Sequence, residues 1–223
     1  MMPWAASGPT TNPLSRASTA ARVAQIGSLG TRRSSLAYAV VFATRSGALS
    51  GWNLGNGQRA WSLDLGSPVG GAGSSAGPGD DLGVFLTPTG TAVVTDLTQG
   101  RRLWDVAPGR AGERDVSAML GPKGLCVLTA DGRVRYFTRT PPTDGKAKAV
   151  WEKALDGPGP TPCVAGDWVL AASRSGSLHA MSAVDGRELW RAKAGGRPTH
   201  VAVFGKTVCV LTVEGRLALF NLE

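Results

Sequence analysis

Two histidines, three cysteines and a scatter of turn carboxylates are the residues of this 223-residue chain whose types could do chemistry. A nucleophilic triad needs a Ser, Cys or Thr beside a histidine that a third group orients. His179 alternates with Met181 in SLHAMSA and His200 precedes the apolar run VAVF, so both read as strand side chains with no triad around them. A zinc site needs Cys and His at short paired spacings. Cys126, Cys163 and Cys209 lie 37 and 46 residues apart in apolar stretches (LCVL, PCVA, VCVL) and read as buried, reduced thiols at comparable places in a repeat. A calcium site needs carboxylates and amides on one loop. Asp80–Asp81 lies in GGAGSSAGPGDD and reads as a solvated pair, while Asp131, Asp144, Asp185 and Glu214 each precede a glycine and read as turn formers. GNGQ at 55–58 and GAG at 71–73 fit neither a phosphate loop nor a dinucleotide fingerprint. Interleaved basic and aromatic residues, as for RNA stacking, come nearest in Arg133-Val-Arg135-Tyr136-Phe137, where alternation predicts a half-buried strand with both arginines outward. The sequence therefore predicts no catalytic, cofactor-binding or metal-binding residues.

The elements that hold these residues are set by a repeat. A short motif, x-x-Gly after Thr, Ser or Ala, recurs at Gly47, Gly90, Gly132, Gly176 and Gly215, with gaps of 43, 42, 44 and 39 residues. About ten residues on, a second glycine appears in four copies, Gly57, Gly100, Gly145 and Gly186, each preceded by Asn, Gln or Asp. Each of these copies ends in a tryptophan: Trp61, Trp104, Trp151 and Trp190. Runs such as LGVFLT, LCVLTA and WVLAAS predict strands buried on both faces. The first glycine predicts a tight turn, alternating runs such as RVRYFT and SLHAMSA predict half-buried strands, and the second glycine predicts another turn. The tryptophan closes a third strand, and a Gly- and Ala-rich fourth strand precedes each unit (RVAQIG, SPVGGAG, RDVSAML, TPCVAG, THVAVFG). Four antiparallel strands in about forty residues make one propeller blade.

The pattern strand, x-x-Gly, strand, Asx-Gly-x-x-x-Trp resembles the PQQ-like, or quinoprotein-like, propeller repeat over about residues 22–223. In that family the recurring tryptophan packs between adjacent blades, which the resemblance implies for Trp61, Trp104, Trp151 and Trp190. WD40 repeats differ: they carry a Gly-His pair and a closing Trp-Asp, and here Trp-Asp occurs once, at Trp104–Asp105, with neither histidine after a glycine. The resemblance predicts an all-β fold of about five blades, near 22–63, 67–106, 114–155, 161–194 and 198–223, the last incomplete. TRTPPTDGKAKA predicts a protruding loop in the third blade, and Gly70–Asp81 a flexible loop in the second. Five blades make an open arc. The alternative is a ring closed by a strand around Trp4 laid beside Leu217–Asn221.

Composition bounds the rest. The net charge is +8 and the pI near 10, but the tightest basic pairs are Arg32–Arg33 and Arg101–Arg102, so the charge is spread and nucleic acid is weakly supported as a partner. No run approaches 18 apolar residues, so no membrane span is expected. Residues 1–21 read as a flexible tail; the lack of any acid before Asp64 also suits an organelle import segment, and no apolar core of a secretory signal is present. With three cysteines, the expected location is an intracellular, reducing compartment. Quinone-dependent members of the family carry a catalytic Asp and a calcium site in a longer chain, so the expected function is a non-enzymatic protein-interaction scaffold, a subunit of a larger assembly. The alternatives are a basic subunit of an organellar ribonucleoprotein and a quinone- or metal-dependent propeller enzyme. Family members anchored by a lipid-bearing cysteine need one near the start. The first here is Cys126, which sets the chain apart from that branch.

Overall fold

A computed structural model describes residues 39–44, 46–72, 81–107, 115–140 and 147–222. Among them the chain forms five antiparallel sheets in sequence order. Blade 1 contains β1 (Ala39–Ala43), β2 (Ala48–Asn53) and β3 (Arg59–Asp64). Blade 2 contains β4 (Gly71–Ala72), β5 (Leu82–Leu86), β6 (Ala92–Asp96) and β7 (Arg101–Val106). Blade 3 contains β8 (Asp115–Leu120), β9 (Gly124–Thr129), β10 (Arg133–Thr138) and β11 (Trp151–Ala154). Blade 4 contains β12 (Cys163–Ala165), β13 (Trp168–Ala172), β14 (Ser177–Ser182) and β15 (Glu188–Lys193). Blade 5 contains β16 (Pro198–Phe204), β17 (Thr207–Thr212) and β18 (Leu217–Asn221). Each strand pairs with the next in sequence, as in a meander, and the first strands β4, β8, β12 and β16 step from blade to blade on the inside of the arc. Residues 1–21, Trp4, the run RVAQIG expected as the first blade's inner strand, Asp80, Asp144 and Gly145 lie outside the described residues.

The hydroxyl three residues before each first-turn glycine explains that motif. Thr44, Thr87, Thr129, Ser173 and Thr212 accept the backbone N–H of Gly47, Gly90, Gly132, Gly176 and Gly215 on their carbonyls. Their side-chain oxygens accept a second N–H, from Ala48, Thr91, Arg133, Ser177 and Arg216. The five glycines have φ between +75° and +98°. The second turns close by a bond from Gly57 to Asn53 O, Gly100 to Asp96 O and Gly186 to Ser182 O. A β-bulge follows at one place in three blades, between Gly51 and Trp52, Val94 and Thr95, and Ala180 and Met181. It seats the repeat tryptophan opposite a fixed partner: Gly51 for Trp61, Val94 for Trp104, Ala180 for Trp190, and in blade 3 Tyr136 for Trp151.

Burial corrects two expectations. β6, β10 and β14 are not half-buried; nearly all of their residues are buried, because a propeller blade has neighbours on both faces. For the same reason Arg135 does not point outward. It is buried, bonds Ala107 O at 3.3 Å, and its guanidinium lies 5.0 Å from the centre of the Phe137 ring. Two smaller departures concern loops and cysteines. Gly71–Ala72 pairs with Leu86 and Phe85 as β4, so the loop of blade 2 is shorter than Gly70–Asp81. Cys163 lies on an inner strand, whereas Cys126 and Cys209 share one position on second strands.

Candidate functional site

Side chains alternate across each blade, so each sheet has an outgoing face toward the next blade and an incoming face toward the previous one. The outgoing rows correspond from blade to blade. Blade 2 offers Val84, Leu86, Ala92 and Val94, which pack on Leu125, Val127 and Phe137 of blade 3. Blade 3 offers Cys126, Leu128, Val134 and Tyr136, which pack on Val169, Ala171 and Met181 of blade 4. Blade 4 offers Leu170, Ala172, Leu178 and Ala180, which pack on Val208 and Val210 of blade 5. The equivalent row in blade 5 is Cys209, Leu211, Leu217 and Leu219. There Leu211, Leu217 and Leu219 are 41%, 63% and 60% exposed, while Leu128, Val134 and Tyr136 are 0%, 0% and 4% exposed. Phe204, also exposed, extends this apolar face. Among the described residues nothing covers it, and these residues form an open arc of blades.

The repeat tryptophans project from the outgoing faces. Trp61 donates from Nε1 to Leu97 O of blade 2 at 2.8 Å, and Trp151 to Ala183 O of blade 4 at 3.0 Å. Each indole lies on the second-turn glycine of the blade it enters. A β-carbon on Gly100 would overlap Trp61, and one on Gly186 would sit 2.5 Å from Cδ2 of Trp151. These glycines, at φ +64° and +70°, thus serve both the turn and the seam. Trp151 also stacks on Tyr136, ring centres 5.4 Å apart. Trp104 is buried and Trp190 lies 6.1 Å from the Phe220 ring, but neither Nε1 has a partner among the described residues. Trp104 faces the blade whose second turn holds the long insertion, and Trp190 faces the blade whose described part ends after β18.

A polar cluster lies in the seam between blades 3 and 4, and sequence reading did not find it because its members are distant in the chain. His179, 3% exposed, donates from Nδ1 to Glu188 Oε2 at 3.1 Å, an ionised carboxylate being able only to accept. Its Nε2 lies 3.4 Å from Asp156 Oδ1 without hydrogen-bond geometry. Asp156 Oδ2 accepts from Ser175 at 2.7 Å, Ser177 at 3.1 Å and Arg191 at 2.6 Å. The Ser175 hydroxyl, helped by Ser177 and Arg191 and opposed by partial burial, holds the Asp156 carboxyl at about 2. His179 first and Lys153 next, at 3.0 Å, hold Glu188 below the usual carboxylate range. Both histidine nitrogens face carboxylates, so the imidazole has no face free to act as a base on a substrate. The cluster joins two blades. The equivalent incoming position holds Val93 in blade 2, Arg135 in blade 3 and Ala218 in blade 5, so this histidine is one solution among several to filling a seam.

The remaining candidates are simpler. His200 is exposed on β16. Burial pushes the thiols of Cys126 and Cys163 upward, which keeps them protonated and unreactive. No group of three His, Cys, Asp or Glu among the described residues is placed to hold a metal ion. One cavity of about 350 Å³ lies between blades 4 and 5, lined by Pro158, Pro160, Arg174, Arg197 and Val213 among others. Among the described residues no helix is long and apolar enough to cross a membrane.

Stacked antiparallel sheets of three or four described strands, with a bulge opposite the tryptophan strand in three of them and an indole on the next blade's glycine at two seams, define a β-propeller of PQQ-like repeats. A family model described as outer membrane protein assembly factor BamB matches residues 88–223, and the chain belongs to that family. It is 28% identical over 163 residues to the outer membrane protein assembly factor BamB of Shewanella oneidensis, covering 66% of this chain and 39% of that protein. It is also 28% identical over 184 residues to the serine/threonine-protein kinase AfsK of Streptomyces griseus, covering 74% of this chain and 21% of that protein. The crystal structure of BamB from Moraxella catarrhalis superposes with a TM-score of 0.64 at 20% identity, over 87% of this chain and 57% of that one. The computationally designed Ika8 protein gives 0.64 at 17% identity, over 82% and 55%, so both structures speak to the fold alone. The chain thus spans well under half the length of either curated relative.

Proposed function

We propose that the chain is a non-enzymatic scaffold for protein–protein contact and a subunit of a larger assembly, with the outgoing face of blade 5 as its principal contact. The observation that carries this reading is the exposure of Leu211, Leu217 and Leu219, with Phe204 beside them, on one sheet face. Contiguous apolar patches mark interaction surfaces. The same row accepts a twisted apolar sheet at the seams after blades 2, 3 and 4, so a sheet is the partner surface it fits. The name of the S. oneidensis relative supports an assembly role, while the kinase relative shares a fifth of its length with this chain. Residues 22–223 would act as one array of blades preceded by residues 1–21. Three unpaired cysteines support a reducing compartment, whereas the word outer membrane in the relative's name argues against an intracellular one. Recovery of all three thiols free from the native source would favour the former. The ribonucleoprotein reading is the weaker one, since Arg101, Arg102, Lys123, Arg133, Lys153 and Arg191 each face a carboxylate instead of lining an open groove.

A photo-crosslinking residue placed at Leu217 or Leu219 in the native source tests this. The expected result is a discrete protein adduct that disappears when Leu211 is changed to Lys. Adducts to nucleic acid alone, or turnover of a small substrate by the purified chain, would overturn the reading.

A further inference from the structure

The cavity of about 350 Å³ between blades 4 and 5 lies at the end of the sheets where interblade links meet first turns. Each link bonds back to the first turn of the blade it leaves: Leu65 N–H to Gly47 O at 3.0 Å, and Leu155 to Gly132 O and Ala194 to Gly176 O at 2.9 Å. That bond fixes a common register for the links. Three residues beyond it the sequence has Pro68, Pro158 and Arg197, and two residues before the turn glycine it has Arg45, Ala130 and Arg174. The corresponding pair of positions therefore reads Arg45 and Pro68 after blade 1, and Ala130 and Pro158 after blade 3. After blade 4 both are arginine, and both line the cavity. The repeat closes its other seams without that pair, so packing of the repeat does not account for it.

The walls are fixed and the arginine heads are not tied off. The N–H of Arg197 donates to Glu214 Oε2 at 3.0 Å, its carbonyl accepts from Val213 N–H at 2.8 Å, and the buried Pro198 follows it. A β-carbon on Gly159 would overlap the carbonyl of Ala172, so the wall from Pro158 to Pro160 rests directly on the end of β13. Among the described residues neither the Arg174 nor the Arg197 guanidinium has a hydrogen bond or an ion pair, whereas those of Arg191 and Arg216 are bound, to Asp156 Oδ2 at 2.6 Å and Gly195 O at 3.2 Å. The Thr199 hydroxyl donates to Leu211 O at 3.1 Å, which leaves the two guanidinium groups as the side-chain donors of the cavity. Pro158, Pro160 and Val213 supply apolar lining.

We propose that this cavity binds a carboxylate side chain carried on an apolar stretch of a protein partner. A guanidinium offers paired N–H donors in a fork that matches a carboxylate. The volume is that of a pocket for a small-molecule-sized piece of chain, and the prolines and Val213 accept the apolar neighbours of the acid. No aromatic side chain lines the cavity, so nothing there stacks a nucleic-acid base. The formal charge of +8 draws acidic partners toward it. The cavity stands apart from the outgoing row of blade 5, and the assignment does not rest on the contact proposed for that row.

The test titrates the full chain with a capped hexapeptide of Ala and Val around one Glu, and with the same peptide carrying Gln, followed by NMR chemical-shift changes. The expected result is a Kd of about 1 mM or tighter for the Glu peptide. The Gln peptide should bind roughly tenfold or more weakly, as for loss of a charge-assisted hydrogen bond. Arg174→Gln and Arg197→Gln should each weaken the Glu peptide roughly tenfold. Both residues are exposed, so the variants should melt with the wild type. Arg59→Gln makes the same change of charge on β3 and should leave the affinity unchanged. Equal binding of the two peptides, no saturation by either, or an equal loss in Arg59→Gln overturns the proposal. So does inorganic phosphate binding more tightly than the Glu peptide, because the cavity would then be a phosphate site.

Discussion

At the scale of single residues, the seams are held by indoles of unequal bonding, and the inequality is testable. Trp151 makes a hydrogen bond to the next blade and Trp104 makes none among the described residues, although both are buried. Truncating either to Ala removes a large buried aromatic and should cost roughly 3–5 kcal/mol. Replacement by Phe separates them: Trp151→Phe should cost about 1 kcal/mol more than Trp104→Phe, the net worth of one hydrogen bond. Equal losses in a denaturant titration would contradict the bonding pattern. The seam cluster predicts an acid effect. Asp156 falls from its ordinary 3.8 to about 2, so it contributes stability that is present above 3.8 and is lost as the pH falls toward 2. Thermal melts across that window should show the loss in the native chain and a flatter profile in Asp156→Asn. Glu188, which His179 first and Lys153 next hold below its ordinary value, keeps its own contribution in the variant's profile.

At the scale of elements, the repeat was readable because its signals are local. A hydroxyl residue three positions before a glycine, an Asx-Gly and a tryptophan each act within one hairpin, and the chain repeats them. What could not be read depends on the neighbour across the seam. Arg135 looked like an outward residue because alternation in RVRYFT reports two faces, not what covers them; blade 2 covers the second. His179, Asp156 and Glu188 meet only once blade 4 folds against the end of blade 3, and no spacing encodes that. The same dependence predicts opposite outcomes for equivalent positions. Val134→Lys should abolish the fold, because it places an ammonium in a closed seam. Leu217→Lys, its counterpart on the open face, should change stability by within about 0.5 kcal/mol. Circular dichroism melts of the two purified variants decide it.

At the scale of the whole molecule, each blade contacts its neighbours in sequence, so stability should vary along the arc as in a stacked array. Hydrogen exchange should be slowest in β9, β10, β13 and β14, which are covered on both faces, and fastest in β3 and β18. Uniform protection from β3 to β18 would mean that the ends are covered in solution. The described seams are made from one kind of outgoing row and one kind of incoming row, with Val93, Arg135, His179 and Ala218 in turn at the incoming position. A joint of that sort is modular in heredity as well as in space. Duplication or deletion of one unit of about forty residues leaves every surviving seam with a compatible pair of rows. Genes built this way can lengthen or shorten by whole blades without repairing a core, and a single point change in one seam need not be answered in the next.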